Sequence, residues 1–442
     1  MNSISKNSAI TFSSQIFSFV LGFISSIILA RALGPQTLGI YTLIILIPTI
    51  MLQFGSLGIG TANIYFTGKK KYKIEDIVSN SLIAAICLGA ILILAIWSIS
   101  HLDIFQNFLK SNQVKPLYLW LVVFTVPFSL LSNFLLNIFL GREEIVKYNK
   151  INIFQTTFQL LAFSIFLLIL KKGIFGAMIS YVLIVIISSL LVYFLITKII
   201  TIRFILNKKL LKESIGYGLR VYLANLAQFL NYRLDMFLIA IFLIPTAIGY
   251  YGLAVGMAEL LWMLPKAIAT VLFPRISSLK EGEANTLTPK VSRHSFFILF
   301  IAALILSILA KPLVRLFYGN AFLPSVLPLL ILLPGILTLG GAKTLSADLA
   351  GRGRPEIGAI AACASLVINI ILNILLIPRW GIAGAAFAST ITYILAAFIV
   401  IIAFTKISGN KIKDVTLIKK SDFEFYKNFI IFFKKRLFNL SK

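Results

Sequence analysis

Long apolar blocks separated by short polar segments run along most of the chain. Each block has about 20 residues or more, which is enough for a helix to cross a hydrocarbon core of about 30 Å. The pattern predicts an all-α polytopic membrane protein with about twelve transmembrane helices. The blocks lie near residues 9–30, 38–66, 77–100, 117–140, 151–170, 173–197, 214–243, 247–273, 294–317, 325–350, 357–377 and 382–405.

The composition excludes a soluble enzyme. Apolar residues make up 59% of the 442 residues and charged residues 13%, whereas soluble chains have about 45–50% and about 25%. The first block has no small-residue cleavage site, so it is predicted to be a retained span rather than a signal peptide.

The net charge of +26 has two possible origins, a nucleic-acid partner or membrane topology. If the N-terminus is cytoplasmic, 29 basic residues lie in cytoplasmic segments, 8 in external segments and 4 within spans. Cytoplasmic loops of membrane proteins are enriched in Lys and Arg. The distribution predicts that both termini are cytoplasmic and that no nucleic acid is bound.

Three short motifs occur twice, in the same order. Leu33-x-Pro35-x-x-x-Gly39-x-Tyr41-x-Leu43 recurs 210 residues later as Leu243-x-Pro245-x-x-x-Gly249-x-Tyr251-x-Leu253, Gly141-Arg142 recurs after 210 as Gly351-Arg352, and Gly173-Ile174-x-Gly176-Ala177 recurs after 208 as Gly381-Ile382-x-Gly384-Ala385. The repeats predict a duplicated six-helix unit with both copies in the same orientation, since six is even. The expected domains are an N-terminal lobe (1–200), a C-terminal lobe (201–405) and a basic cytoplasmic tail (406–442).

The seventh block has one polar face along its whole length. Such a stripe faces protein or water, not lipid. It is predicted to line a water-filled cavity; the alternative is hydrogen bonding between packed helices. Its candidate functional residues are Arg220, Asn225, Gln228, Asn231 and Asp235.

Other ionisable residues lie within spans, where a charge is costly and therefore indicates function. Glu259 and Lys266 lie in the eighth block, and Lys343 lies in the tenth. Two asparagine pairs with the spacing of one helix face are predicted to pack between helices rather than to contact substrate. These pairs are Asn133 with Asn137 and Asn369 with Asn373.

The sequence offers no catalytic, metal or cofactor signature. It contains no GxxxxGK[ST] motif, so ATP hydrolysis is not expected. His101 and His294 lie near span ends, and Cys87 and Cys363 lie in separate apolar blocks without metal-ligand spacing. No catalytic residue, metal or cofactor is therefore predicted.

Several motifs resemble those of the Wzx-type polysaccharide flippases, members of the multidrug/oligosaccharidyl-lipid/polysaccharide exporter superfamily. The resemblance extends over residues 5–400. The motifs are Ala30-Arg31-Ala32-Leu33-Gly34-Pro35 followed by Gly39-x-Tyr41, Arg233-Leu234-Asp235, Phe273-Pro274-Arg275-Ile276-Ser277, and Asn373-x-Leu375-Leu376-Ile377-Pro378 with Gly381-x-x-Gly384-Ala385-Ala386.

The resemblance implies a MATE-like arrangement of two six-helix lobes around a cavity that opens alternately to either side of the bacterial cytoplasmic (inner) membrane. The implied cargo is an oligosaccharide on an undecaprenyl-pyrophosphate carrier, used to build surface polysaccharide such as the O-antigen of lipopolysaccharide. It leaves open coupling to H⁺ or Na⁺ and association with a polysaccharide polymerase complex.

This cargo suggests a role for each candidate. Cations bind phosphate, and Arg suits bidentate contacts, so Arg220, Lys266 and Lys343 are expected to contact the pyrophosphate. Arg31 is expected either to guide the head group or to brace the turn between the first two spans. The expected cavity amides and coupling carboxylates are Asn225, Gln228 and Asn231, and Asp235 and Glu259, respectively.

Three alternatives stay open: a drug/cation antiporter of the same superfamily, a flippase for the peptidoglycan precursor, and a non-transporting scaffold. The excess of basic over acidic residues within spans disfavours the antiporter. The two additional helices usual in peptidoglycan-precursor flippases are missing. The tail from Lys411 onward is predicted to lie on the lipid surface; the alternative is a solvated, disordered tail.

Overall fold

The computed structural model describes residues 2–201, 204–279 and 281–422, and this part of the chain consists of helices and short connections. The helices are α1 (Asn2–Gly55), α2 (Ile59–Gly68), α3 (Ile74–Ser100), α4 (Asp103–Ser111), α5 (Pro116–Val123), α6 (Val126–Gly141), α7 (Ile145–Phe163), α8 (Gly173–Thr197), α9 (Lys208–Phe242), α10 (Pro245–Glu259), α11 (Met263–Ser278), α12 (Glu281–Phe317), α13 (Val326–Gly351), α14 (Glu356–Ser408) and α15 (Ile412–Thr416). A π-helical segment (Ser164–Ile169) and two 3₁₀ segments (Leu260–Trp262 and Asn320–Ser325) complete them.

The all-α membrane fold is confirmed. Within the described residues, nine helices are long and apolar enough to cross a membrane. Two of them, α1 and α14, contain a glycine with non-helical backbone angles, Gly34 (φ 70°, ψ 172°) and Gly381 (φ 58°, ψ −138°). The 53 residues of α14 extend about 80 Å at 1.5 Å per residue, enough for two crossings. The number of crossings and the side of the termini stay predictions.

The described residues form two compact units, and α10, α12, α13 and α14 contribute to both. Unit 1 contains Met1–Gly256, Leu309–Leu332 and Leu366–Ser389; unit 2 contains Met257–Ile308, Leu333–Ser365 and the described residues from Thr390 onward. In unit 1, α1 packs against α7, and α6 packs against α2, α3 and α8. A buried apolar cluster that includes Phe66, Ile77 and Phe139 fills the space between these helices. In unit 2, a smaller cluster of Leu272, Ile276 and Ala284 joins α11 to α12.

The repeated Pro-Gly motifs meet each other within unit 1. A Cβ atom on Gly39 would overlap the carbonyl oxygen of Pro245, and a Cβ atom on Gly249 would overlap the carbonyl oxygen of Pro35. The contact is reciprocal, as expected for two copies of one unit related by a pseudo-two-fold axis. Glycine is required at both positions because the two backbones leave no space for a side chain.

The other repeated glycines also have equivalent surroundings. A Cβ atom on Gly141 would meet the carbonyl oxygen of Ile64, and one on Gly351 would meet that of Phe273. A Cβ atom on Gly176 or on Gly384 would likewise meet a backbone carbonyl oxygen. Matching motifs therefore occupy matching positions, which supports a duplicated fold.

We expect Gly39→Ala and Gly249→Ala to destabilise the protein. Overpacking costs about 1–3 kcal/mol when side chains give way, and here the obstacle is a backbone carbonyl. Thermal unfolding in detergent is the measurement. The matched control is Gly256→Ala in α10, where a Cβ meets nothing within 4 Å and alanine favours the helix. Equal unfolding midpoints for all three variants would contradict the close approach.

An ion pair joins the segment after α14 to the first half of α12 in unit 2. The Arg293 guanidinium donates to both carboxylate oxygens of Asp422, at 2.5 and 2.7 Å. The His294 ring lies 3.8 Å from the same carboxylate, and Val415 of α15 is fully buried. Of the tail predicted to lie on the lipid surface, Lys411–Asp422 is described and residues 423–442 lie outside the described residues.

This ion pair predicts a pH response. Hydrogen bonds from Arg293 lower the pKa of Asp422 to about 2, whereas an aspartate in an unfolded chain titrates near about 3.9. Because the folded-state pKa is depressed, the stabilisation is present above about pH 4 and is lost as the pH falls through about 2. Pepsin cleavage within Ile412–Thr416, normalised to a reference peptide, should rise over that interval. Asp422→Asn should be cleaved throughout it; the same onset in both proteins would be evidence against the anchor.

Candidate functional site

In both halves of the chain, helical geometry changes within the second predicted span. In the first half, α1 ends at Gly55 and α2 begins at Ile59, with positive φ at Leu57 (44°) and Gly58 (72°). In the second half, the 3₁₀ segment Leu260–Trp262 separates α10 from α11. Irregular backbone at membrane depth is tolerated only where protein buries it or a water-filled cavity adjoins it. These two places are therefore candidates for a functional site.

The irregularity in the second half brings three of the predicted residues together within unit 2. The Lys343 ammonium lies 3.9 Å from the centroid of the Trp262 ring, and both Lys266 and Glu259 lie within electrostatic reach of it. We call Glu259, Trp262, Lys266 and Lys343 the cationic cluster. Trp262 was not predicted from the sequence, although its position between Glu259 and Lys266 on the same helix face was a usable signal.

Trp262 is held in place by its neighbours. Its indole N–H donates to the Ile336 carbonyl at 2.9 Å, its ring lies 5.7 Å from that of Tyr393, and it is 2% exposed. The cation–π contact stabilises the Lys343 ammonium, and Lys266 is exposed. The two lysines outnumber the one glutamate of the cluster, so its formal charge favours an anionic group.

The irregularity in the first half adjoins a polar cavity of about 340 Å³ within unit 1. We call it the amide cavity, after Gln53, Asn133, Asn137 and Asn225 in its wall. Asn225 is one of the predicted cavity residues. The first asparagine pair lines this cavity rather than packing between helices, whereas Asn369 and Asn373 are fully buried and hydrogen-bonded to each other. Spacing alone did not distinguish the two pairs.

The remaining polar residues of α9 are not gathered in one place. The Gln228 amide donates to the Tyr232 hydroxyl at 3.0 Å. Asn231 is 3% exposed, and its side-chain oxygen has no hydrogen-bond partner among the described residues. Arg220 lies in α9, but its side chain is outside the part of the chain that the structure describes. Its role stays a prediction.

Asp235 is the centre of a buried hydrogen-bond network in unit 1. Its carboxylate accepts hydrogen bonds from the Tyr251 hydroxyl at 2.6 Å, the Met236 N–H at 2.7 Å and the Ser389 hydroxyl at 3.2 Å. The residue is 1% exposed. Among the described residues, no three His, Cys, Asp or Glu side chains converge as metal ligands would. The arrangement is a single buried carboxyl group held by two hydroxyl donors and one backbone N–H.

The first half has uncharged residues at the positions equivalent to those of this network. Ser25 and Tyr41 precede Asp235 and Tyr251 by 210 residues, and Tyr181 precedes Ser389 by 208. Ser25 is fully buried and donates to the Leu21 carbonyl, and Tyr181 lies within electrostatic reach of Tyr41. The duplicated fold therefore holds a carboxylate in one copy and a hydroxyl in the other.

Arg31 contacts the carboxyl end of α12. Its guanidinium donates to the Phe317 carbonyl at 2.7 Å and also to the Leu316 carbonyl. Carbonyls at the end of a helix lack intrahelical partners and attract cations. Of the two roles expected for Arg31, these contacts favour bracing.

We expect Tyr251→Phe to lower the free energy of unfolding by about 1–3 kcal/mol, since it removes a hydrogen bond to a buried carboxylate. Tyr41→Phe, the equivalent change in the first half, should cost less because Ser25 stands where Asp235 would be. Thermal unfolding of both variants in detergent tests the difference. Equal losses of stability in the two variants would show that the hydrogen bond to the Asp235 carboxylate does not stabilise the protein.

Comparison with known proteins places these features in a family. A model of the family described as "Polysaccharide biosynthesis protein" matches residues 28–327. A Shigella flexneri protein named "Putative O-antigen transporter" is 24% identical over 406 residues, which cover 86% of this chain and 92% of the relative.

Two solved structures share the fold. The lipid II flippase MurJ in an inward closed conformation superposes with a TM-score of 0.77 at 18% identity, covering 91% of this chain and 88% of MurJ. An inward-facing multidrug resistance MATE family transporter superposes with a TM-score of 0.72 at 16% identity, covering 91% and 98%. These relatives are transporters and flippases rather than enzymes.

Proposed function

We propose that this chain, a multi-pass membrane transporter that belongs to the polysaccharide biosynthesis protein family, is a flippase for lipid-linked oligosaccharides. The cargo is an oligosaccharide repeat unit on undecaprenyl pyrophosphate. The protein moves it across the bacterial cytoplasmic membrane for the assembly of surface polysaccharide.

The cationic cluster is the observation that carries this proposal. A pyrophosphate must leave water to cross the membrane, and it needs cations to replace its hydration. Lys343 and Lys266 supply two within one unit, and Trp262 fixes the position of Lys343. Glu259 limits the net charge, which favours release of the anion after transport. Arg220 is a further candidate contact for the pyrophosphate.

The proposed mechanism is alternating access between an N-terminal lobe (1–200) and a C-terminal lobe (201–405). Duplicated transporter folds use such motions, with the substrate bound near irregular helices. Asp235 is the proposed coupling group, because protonation or cation binding would change its hydrogen bonds to Tyr251 and Ser389. Glu259, the other carboxylate predicted to lie within a span, is the second proposed coupling group. A polysaccharide polymerase associated with the protein would receive the cargo after transport.

Lys343→Met should strongly reduce transport, because it replaces the ammonium with an uncharged side chain of similar length. Lys343→Arg should retain part of it, since Arg also binds phosphate and stacks on Trp. The measurement is made in the native host with the chromosomal gene deleted and each variant expressed from a plasmid. Surface polysaccharide is quantified, together with completed lipid-linked oligosaccharide protected from a membrane-impermeant probe. The matched control is Lys311→Met, an exposed lysine of α12.

Completed units trapped inside the deletion strain and the Lys343→Met strain, with normal units in the control, are the expected result. Normal surface polysaccharide in the deletion strain, with new sensitivity to cationic drugs, would instead identify an antiporter. Trapped peptidoglycan precursor would identify that cargo. Full transport by a folded Lys343→Met protein would contradict the role of the cationic cluster.

A further inference from the structure

We propose that the amide cavity is a glycan-binding subsite that holds uncharged sugar hydroxyls of the cargo. This inference rests on the proposed function and extends it, because it separates recognition of the sugar from binding of the pyrophosphate. The residues concerned are Gln53, Asn133, Asn137 and Asn225, all within unit 1.

The chemistry of the wall selects the class of ligand. Besides the four amides, Ser56, Thr61, Ser129 and Tyr222 contribute hydroxyls, and none of the described lining residues is charged. Amides and hydroxyls both donate and accept hydrogen bonds, as sugar hydroxyls do. The described part of the wall has no fixed charge with which to neutralise a pyrophosphate or a drug cation. Its amides and hydroxyls match a neutral polyhydroxylated group.

The cavity exists because the backbone leaves space for it. Gly60 of α2 has no Cβ, and an added one would meet the Asn137 amide nitrogen and the Asn133 side-chain oxygen. Ser56 and Gly58, from the non-helical turn before α2, also line the cavity. Its volume of about 340 Å³ lies within the range of about 300–1,000 Å³ typical of ligand pockets.

The wall is also held in place before any ligand binds. The Asn137 amide donates to the Asn133 carbonyl at 3.0 Å, and the Tyr222 hydroxyl donates to the Phe54 carbonyl at 3.3 Å. Behind the cavity, buried Asn63 of α2 donates to the Phe134 carbonyl of α6 at 3.1 Å. A site on packed helices, supported by a second layer of hydrogen bonds, is preorganised for binding.

Exposure of the amides argues against a purely structural role. Asn133 is exposed within Pro116–Gly141, a segment apolar enough to span a membrane. An exposed amide facing hydrocarbon would lose its hydrogen bonds at a cost of a few kcal/mol. Its side chain therefore faces water or a ligand.

The test compares two forms of the carrier lipid. Full-length protein in nanodiscs is titrated with undecaprenyl pyrophosphate, and separately with undecaprenyl pyrophosphate bearing the repeat unit extracted from the native host. Native mass spectrometry gives the dissociation constant of each form. The informative quantity is the ratio of the two constants, because it cancels contacts with the lipid and the pyrophosphate.

The variants are Asn133→Leu and Asn137→Leu, with Asn152→Leu as the matched control. Asn152 is a half-buried asparagine of α7 that is not in the wall of the cavity. Each variant in the wall should reduce the preference for the glycosylated carrier about five- to tenfold, the effect of losing hydrogen bonds worth about 1 kcal/mol or slightly more. The control should keep the wild-type ratio. Unchanged affinity for the bare carrier shows that each variant is folded.

The contrary outcomes are distinguishable. A wild-type protein that binds both carriers with equal affinity, or wall variants that keep the wild-type ratio, would overturn the glycan subsite alone. Equal loss of affinity for both carriers in a variant with an unchanged unfolding midpoint would assign the amides to the pyrophosphate instead. Failure of the wild type to bind either carrier would overturn the proposed cargo, and the subsite with it.

A second variant addresses the space itself. Gly60→Ala places a methyl group against Asn133 and Asn137 without removing either amide. It should also lower the preference for the glycosylated carrier, whereas Gly256→Ala, which meets nothing within 4 Å, should not. A wild-type ratio in Gly60→Ala would contradict occupation of the cavity by the sugar.

Discussion

Satisfaction of backbone hydrogen bonds within the membrane is the constraint on which the rest of this structure depends. A helix supplies these bonds internally, so a chain in hydrocarbon departs from helical geometry only where polar groups or water replace them. Here the second span of each half departs from regular α-helical geometry, between Gly55 and Ile59 in the first half and at Leu260–Trp262 in the second. The amide cavity adjoins the first region and the cationic cluster adjoins the second. Irregular backbone and polar chemistry therefore occur together in both halves.

Close approach of backbones is the second requirement. Lipid is as apolar as a leucine side chain, so helices in a membrane associate through tight packing, which small residues permit. The reciprocal contact of Gly39 with Pro245 and of Gly249 with Pro35 is of this kind. Duplication explains its symmetry, because a motif that can approach its own copy needs glycine in both. These positions are fixed by the fold, whereas neighbouring positions are free to differ between the two halves.

The two halves use that freedom differently. At the same place in the repeat, Ser25 in one half is matched by Asp235 in the other. The amide cavity, lined mainly by residues of the first half, has a neutral described wall, whereas the cationic cluster of the second half contains two lysines. One scaffold thus provides a neutral polar site and a charged site. This division fits a cargo with an uncharged sugar and an anionic linker, since each part needs a different environment.

The sequence by itself determined the all-α membrane fold, the duplication and the charged residues within predicted spans. Apolar length, repeat offset and the presence of a charge in an apolar block can all be recognised from the order of the residues, without knowledge of packing. Tertiary structure decided which polar faces meet a cavity. Asn133 and Asn137 share the four-residue spacing of Asn369 and Asn373, yet only the first pair lies opposite a glycine beside a non-helical turn. Arg31 reaches carbonyls more than 280 residues away. Helical periodicity specifies which side chains share a face, and only packing specifies what that face contacts.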